Sequence, residues 1–494
     1  MTVHLSILIF WPLLLAMLGG IAPRAVAPLF ALVGALVPLG YAVILLVDHD
    51  PAVAGLQYVT DDAWISEMGI RYTLGVDGLN LWLVALTTLL FAASALWLVL
   101  RPPVRPKLFA VHFGIAETAV LGAFLAQDLA LFVLFFDLML VPFYFLLGQW
   151  GGPDRVQAAL KMVIYTLVGS LLMLAAAVAT AVLAGAGPDG QLSFSLADLR
   201  GSLLGEGTQK LLFAAFALAF LIKMPAFPFH GWMPDTYRNM PLPALAVFSG
   251  VVSKVAAYGF LRIVLPLFPE AAADWQLILL ILALVSIVYG SIMAFTVTNV
   301  RLILGYSSVA QLGFVTLGIF ALDPEARGAQ GALLQAVNHG LVVAPLFLII
   351  ALLAARAGGS EDLRDMGGIA FRAPVLATLF MIVTLATLAM PGSANFVGEF
   401  LILLGVFESR LAVALIASTG VVLASVYALR FYIRSMHNRQ GPAVTSFDMS
   451  FRDGLVIVPL VLAILAFAVY PQRALDAGEP AVQAASQAVT GGTR

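Results

Sequence analysis

Apolar runs about as long as a membrane is thick, separated by short polar stretches, recur along this chain from residue 4 to residue 471. A helix needs about 20 mainly apolar residues to cross about 30 Å of hydrocarbon. On that measure the pattern predicts spans at 4–22, 25–47, 79–100, 109–126, 128–148, 160–184 and 209–231, then at 242–266, 275–297, 301–321, 328–356, 374–408, 411–437 and 455–471. These make about fourteen crossings of an all-α polytopic membrane protein. The runs are too long for strands and do not alternate with period two, so they are not sheet. The first run follows Met-Thr-Val-His, without a basic leader or a small-residue cleavage site, and reads as a span rather than a signal peptide.

The basic residues test this count separately. One alternate set of loops holds Arg24, Arg101, Arg105, Lys107, Arg155, Lys161, Arg238, Arg301, Arg356, Arg364, Arg372, Arg434, Arg439 and Arg452. The other set, termini included, holds only Arg71, Arg200, Lys210, Arg327, Arg410, Arg473 and Arg494, beside acids such as Asp48, Asp50, Asp61, Asp62 and Glu67. The positive-inside rule then places both termini on the outer face. One missed span would scramble the alternation.

Composition agrees. The 494 residues are 62% hydrophobic and only 11% charged, with a mean hydropathy of +1.02. A soluble chain of this size needs more charge to cover its surface, so lipid is the solvent. The net charge of −2 gives no reason to expect nucleic acid. There is no cysteine, which excludes disulfides, thiolate metal sites and cysteine-ligated clusters. Of six histidines, His4, His49, His112 and His437 fall at or near loops and span ends, and only His230 and His339 lie within apolar stretches. No pair is spaced for haem, so neither a metal nor a redox cofactor is expected in this chain.

Charge inside the spans is the feature that needs a cause. Lys223, Lys254, Arg262 and Arg430 fall in neither loop set, and Glu117, Asp137 and Glu399 lie well inside apolar runs. Each costs roughly 2.5–3.5 kcal/mol at mid-membrane on insertion scales. Arg262 and Arg430, towards helix ends, are expected to snorkel; the rest must pair, face water or titrate. The bland reading is a set of ion pairs holding helices together. The sharper one is a proton relay. A free lysine keeps its proton to about pH 10.4; burial favours the neutral amine, and a nearby carboxylate favours the ammonium. Moving the carboxylate therefore makes a lysine hold or release a proton. Two spans also look broken, one at Pro225 and Pro228 between Lys223 and His230, the other at Pro391-Gly-Ser-Ala-Asn395 ahead of Glu399. A proline removes a backbone donor and frees a carbonyl upstream, and unwound backbone at depth is tolerated only inside protein or along a cavity. Two breaks in two halves of a chain point to a transporter built of inverted repeats.

These residues fall in segments that resemble a known family. The segments are Gly75-Val-Asp-Gly-Leu-Asn80, Leu134-Phe-Phe-Asp-Leu-Met-Leu-Val-Pro142, Lys223-Met-Pro-Ala-Phe-Pro-Phe-His-Gly-Trp-Met-Pro-Asp235, Ser249-Gly-Val-Val-Ser-Lys254, Tyr306-Ser-Ser-Val-Ala-Gln311, Asn338-His339 and Pro391-Gly-Ser-Ala-Asn-Phe-Val-Gly-Glu399. Running through almost the whole chain, they resemble the antiporter-like membrane subunits of respiratory complex I and of Mrp-type cation/proton antiporters. The chain stops soon after its last span, without the long lateral helix of the largest homologue, and is most similar to the subunit M branch of NADH:quinone oxidoreductase.

The resemblance implies spans 1–3 in residues 1–108, two inverted five-helix repeats in 109–266 (spans 4–8) and 275–437 (spans 9–13), each with a broken helix, and a loop, span 14 and short outer tail in 438–494. It implies that Asp137 is the fifth-span acid, Lys223 its partner, Lys254 the connecting lysine of the eighth span and Glu399 the terminal group of the axis, with His230 and His339 as polar members. The family usually has glutamate where this chain has Asp137, one methylene longer, so water is expected between Asp137 and Lys223. It usually has histidine where this chain has Gln311, which cannot titrate. Glu117 matches no family residue and is expected near Asp137 by depth. The resemblance also implies a bacterial cytoplasmic membrane, partners among the other membrane-arm subunits, and FMN, iron–sulfur clusters and quinone in partner subunits, with no redox site here. The rival readings are an Mrp-type sodium/proton antiporter subunit and a structural arm subunit that transmits coupling without conducting.

Overall fold

Hydrocarbon offers a backbone no hydrogen-bonding partners, so each long apolar run satisfies its own amides by becoming a helix. A computed structural model of the chain describes residues 4–491 apart from 54, 186, 188, 189 and 203; Arg494 lies outside the described residues. The helices are α1 (Leu5–Ile21), α2 (Ala27–Asp48), α3 (Leu81–Leu100), α4 (Pro106–Leu125), α5 (Leu129–Trp150), α6 (Arg155–Ala184), α7 (Glu206–Lys223), α8 (Met233–Asn239), α9 (Leu242–Leu267), α10 (Gln276–Thr296), α11 (Val300–Ile319) and α12 (Arg327–Arg356). They continue as α13 (Pro374–Thr387), α14 (Ala394–Ser409), α15 (Leu411–Met436), α16 (Phe451–Val469) and α17 (Gln472–Thr490). Among the described residues, eleven helices are long and apolar enough to cross a membrane, and α1 and α13 are shorter apolar helices. The chain is thus a polytopic helical membrane protein.

The break expected in the 209–231 run is present: α7 stops at Lys223, a turn carries Pro225 and Pro228, and a single 3-10 turn, Phe229–Trp232, leads into α8. Two other features differ from the sequence reading for physical reasons. The polar loop after α2 folds into an antiparallel hairpin, β1 (Gln57–Ile65) and β2 (Ile70–Val76), which a search for 20-residue apolar windows does not see. The expected short tail is the helix α17, with Ala474, Ala477, Gly478, Val482, Ala485, Ser486 and Val489 buried on one face. Its overall polarity hides it from a span count, but the spacing of those small residues is helical.

α9, α11 and α12 lie almost wholly inside the bundle. Their polar residues therefore meet protein rather than lipid. α12 packs on α14, α11 and the N-terminal part of α9, and α10 packs on α11 and α15. Where α9 crosses α12 the contact is backbone to backbone: a Cβ on Gly340 would lie 2.4 Å from the Gly250 carbonyl oxygen.

Candidate functional site

The two breaks are lined by backbone groups that find partners. After α7, the freed Leu221 carbonyl accepts from the Ala226 N–H at 3.0 Å, the Ile222 carbonyl accepts from the Trp232 indole at 3.0 Å, and the Phe227 N–H donates to Ser286 Oγ of α10 at 3.0 Å. Between α13 and α14, the Met390 N–H donates to the Leu385 carbonyl at 3.2 Å, and the Ser393 N–H to the Met390 carbonyl at 2.8 Å. Gly392 has φ +88° there, a left-handed conformation that glycine adopts without strain. Asn338 of α12 ties this break down by donating to the Ala394 carbonyl at 2.7 Å. Each break is thus held in place beside an ionisable group, Lys223 in one case and Glu399 in the other.

Lys223, the last residue of α7, is 4% exposed. Its ammonium donates to the Phe136 carbonyl at 3.2 Å and lies 4.2 Å from the centre of the Phe136 ring. Asp137, next in sequence to Phe136, is half-buried and faces Ser170 of α6 and Lys223, but its Oδ1 has no partner and no ion pair joins it to the lysine among the described residues. Asp137 and Lys223 therefore stand near each other without an ion pair. A cavity of about 10 Å³, bounded by Thr166, Lys223, Trp232, Phe248 and Val252, adjoins Lys223 on the side of α9. That is near the lower limit for one water, roughly 10–15 Å³.

Lys254 lies fully buried in the middle of α9. A π-turn at Phe248–Val252 precedes it, and such a bulge takes one carbonyl out of the i→i+4 pattern. The Lys254 ammonium reaches back five residues to the Ser249 carbonyl at 2.7 Å. His339 of α12 faces Lys254 across the Gly250–Gly340 crossing, and its Nδ1 has no partner.

The third group is centred on a residue that the sequence reading did not single out. Gln335 donates from Nε2 to Gln311 Oε1 at 2.8 Å and to Glu399 Oε1 at 3.3 Å, so it joins α11, α12 and α14. Gln335, Asn338 and His339 stand at i, i+3 and i+4 on α12, which places them on one helical face within about 6 Å of axial rise. That spacing, counted back from His339, is the signal that would have found Gln335.

Two expected members stand aside. His230, in the 3-10 turn, bonds Tyr289 of α10 through Nε2 at 3.2 Å and stacks on Phe227. Glu117 is buried in α4 and makes no hydrogen bond or ion pair among the described residues. Arg262 is a clear correction. It does not snorkel but is 3% exposed and paired with Asp77 in the loop before α3.

The large majority of buried side-chain polar groups have a partner. Among the described residues, eight of the fifteen buried side-chain atoms without one lie on this set: Asp137 Oδ1, Gln311 Nε2, Gln335 Oε1, Asn338 Oδ1, His339 Nδ1, both amide atoms of Asn395, and Glu399 Oε2; the others include Trp11, Trp82, Glu117 and His230. The arrangement can hold a proton or an ordered water at several stations, from the half-buried Asp137 through two lysines to Glu399.

Known proteins resemble this chain along almost its whole length. The family described as NADH:quinone oxidoreductase/Mrp antiporter, TM matches residues 126–424. A relative from Rhodobacter capsulatus, NADH-quinone oxidoreductase subunit M, is 38% identical over 97% of this chain and 95% of its own length. One of the same description from Mycobacterium tuberculosis is 34% identical over 97% and 93%. A chain in the structure of respiratory complex I from Thermus thermophilus with bound NADH superposes with a TM-score of 0.90 at 30% identity, covering 98% of this chain and 99% of that one. A chain of an Mrp complex from Dietzia shares the fold, with a TM-score of 0.83 at 21% identity over 99% of this chain and 98% of that one. The chain therefore belongs to the NADH:quinone oxidoreductase/Mrp antiporter membrane family, with subunit M of NADH-quinone oxidoreductase among its full-length relatives.

Proposed function

We propose that this chain is a proton-translocating membrane-arm subunit of an NADH:quinone oxidoreductase, moving protons along the file Asp137, Lys223, Lys254, His339, Gln335, Gln311 and Glu399. One observation carries the reading. Lys223, Lys254 and Glu399 are 4%, 0% and 2% exposed, and none of them is in an ion pair among the described residues. Charges kept to hold helices together would be paired, as Arg262 and Asp77 are. Groups that exchange protons must be able to spend time neutral, and these have only neutral partners.

In this reading a proton enters from the cytoplasmic side, is taken up at Lys254, and passes by way of His339 and the α12 face towards Glu399. Gln335 and Gln311 orient the last stretch but carry no proton themselves, so water must bridge it. A shift of Asp137 relative to Lys223, driven from an adjacent subunit, changes how firmly Lys223 holds its proton and so the affinities along the file. The small cavity beside Lys223, bounded by Phe248 and Val252 of α9, is where one water would reach that lysine. Each charge moved against 100 mV takes about 2.3 kcal/mol, and the driving reaction belongs to partner subunits carrying FMN, iron–sulfur clusters and quinone. The remaining elements of the proposal are fourteen crossings, two inverted repeats around the breaks, both termini on the outer face of a bacterial cytoplasmic membrane, and homologous subunits alongside.

Replacing Lys223 with alanine in the assembled complex is expected to abolish proton pumping driven by NADH oxidation, with the complex still assembled and its flavin and clusters reducible. Normal proton flux in that variant would remove Lys223 from the mechanism.

A further inference from the structure

The segment Gly75–Asn80 is accounted for by none of the proton stations, and its geometry is specific. Asn80 Oδ1 accepts from the Asp77 N–H at 2.9 Å, and its amide donates to the Gly75 and Phe124 carbonyls at 2.9 Å each. Gly78 meets α17 so closely that a Cβ there would lie 1.6 Å from the Ala477 carbonyl oxygen. Asp77 pairs with Arg262 of α9, whose Nε donates to the Tyr258 hydroxyl at 3.1 Å. Together these close one wall of a cavity of about 350 Å³ between α9 and α17, with Ala477 and Ala481 of α17 lining the other side. This falls within the roughly 300–1,000 Å³ usual for small-molecule sites.

The charge in this cavity does not balance. Its lining includes two guanidinium groups, Arg200 and Arg262, and one carboxylate, Asp77, leaving one surplus positive charge. His49 also lines it, and burial lowers the pKa of its imidazole despite Asp77 nearby, so it adds an N–H donor and no charge. Asp50, beside His49, is exposed and accepts from Ala52 in its own turn. The Arg200 guanidinium makes no hydrogen bond or ion pair among the described residues; the residue is exposed at the cavity mouth, and partial desolvation together with the Arg262 guanidinium disfavours its charge. Arg262 Nη1 is likewise uncommitted among the described residues, while Nε and Nη2 are used.

We propose that this cavity binds the phosphodiester headgroup of an anionic membrane lipid, held between Arg200 and Arg262 with His49 as a further donor. Guanidinium groups are matched to phosphate oxygens in both charge and fork geometry. A phosphodiester carries one negative charge and neutralises the surplus. A free phosphate monoanion or dianion lacks the glyceryl groups that the remaining volume admits, and the dianion overshoots the charge. A zwitterionic headgroup leaves the surplus in place. The small residues of α17 leave the space, and Gly78 fixes α17 over it.

The test uses the assembled complex, delipidated in detergent and titrated with short-chain phosphatidylglycerol, with phosphatidylcholine of the same chains, or with inorganic phosphate, while native mass spectrometry counts the bound lipids. Wild type should retain one more phosphatidylglycerol than Arg200→Gln, with affinity at that site falling at least about tenfold, as expected on losing one charge-assisted hydrogen bond. Ala481→Leu, which fills the cavity without touching a charge, should lose the same molecule. Phosphatidylcholine binding should not differ among the three. Equal phosphatidylglycerol retention by wild type and Arg200→Gln would overturn the proposal, as would equal preference for phosphatidylcholine. Displacement by inorganic phosphate at matched concentration would assign the site to free phosphate instead and overturn the lipid.

Discussion

Replacing Gly340 with alanine tests whether close contact of α9 and α12 lets Lys254 and His339 work together. A Cβ at 340 would lie 2.4 Å from the Gly250 carbonyl oxygen and 2.6 Å from Leu86 Cδ2, whereas ordinary contact begins near 3.4 Å. The leucine can turn aside. The oxygen belongs to the π-turn that presents the Ser249 carbonyl to Lys254 and cannot move without disturbing it. The helices must therefore part by about 1.0 Å, the difference between 3.4 and 2.4 Å. Overpacking of this kind costs about 1–3 kcal/mol.

Gly40→Ala on α2 is the matched control, since nothing lies within 4 Å of its added Cβ. Removing a mid-helix glycine there should be neutral or stabilise by up to about 1 kcal/mol. The assay is proton uptake per NADH oxidised in proteoliposomes, with the apparent thermal midpoint of the purified complex alongside. Gly340→Ala should lower both, and Gly40→Ala should lower neither. If the two variants behave alike, the crossing is not what sets the distance between Lys254 and His339.

Two further outcomes follow from single contacts. Trp232→Phe keeps most of the ring but removes the N–H that satisfies the Ile222 carbonyl in the first break, so it should destabilise by about 1–3 kcal/mol, read as a lower thermal midpoint with reduced pumping. Asp77→Asn leaves the buried Arg262 guanidinium without its counter-charge, a loss of about 3–5 kcal/mol when one partner of a buried pair is removed; the assembled complex should become scarce on native gels, and the added change Arg262→Met should restore part of it.

The long apolar runs made the helical membrane fold legible, because a 20-residue period of hydrophobicity has few other readings in a chain so poor in charge. The prolines made the breaks legible for the same reason: each removes a donor that hydrocarbon cannot replace. α17 and the β1–β2 hairpin were not legible, since neither is apolar enough to register as a span and both are positioned by long-range contacts, such as Gly78 against the Ala477 carbonyl. At the site, ionisable type and depth singled out Lys223, Lys254 and Glu399. Gln335 escaped notice because an amide inside a span carries no charge penalty large enough to call for a cause, and only its contacts with Gln311 and Glu399 show what it does.

The contrast between Lys254 and Arg262 separates scaffold from relay more sharply than burial can. They sit eight residues apart on α9, at 0% and 3% exposure, and would pay the same penalty for charge. Arg262 has a carboxylate within bonding distance and Tyr258 besides, and arginine does not give up its proton in a protein. A permanent charge with a permanent partner is a joint. Lys254 has a backbone carbonyl and faces a histidine, neither of which fixes an ammonium as a carboxylate would, and lysine is the cation whose proton affinity responds most readily to burial. A cation of adjustable charge with only neutral partners can be loaded and emptied. The same distinction separates Glu399, held by an amide, from Asp77, held by a guanidinium. Residue type and partner type therefore agree at all four positions, which favours the proposed relay over a purely structural reading of these charges.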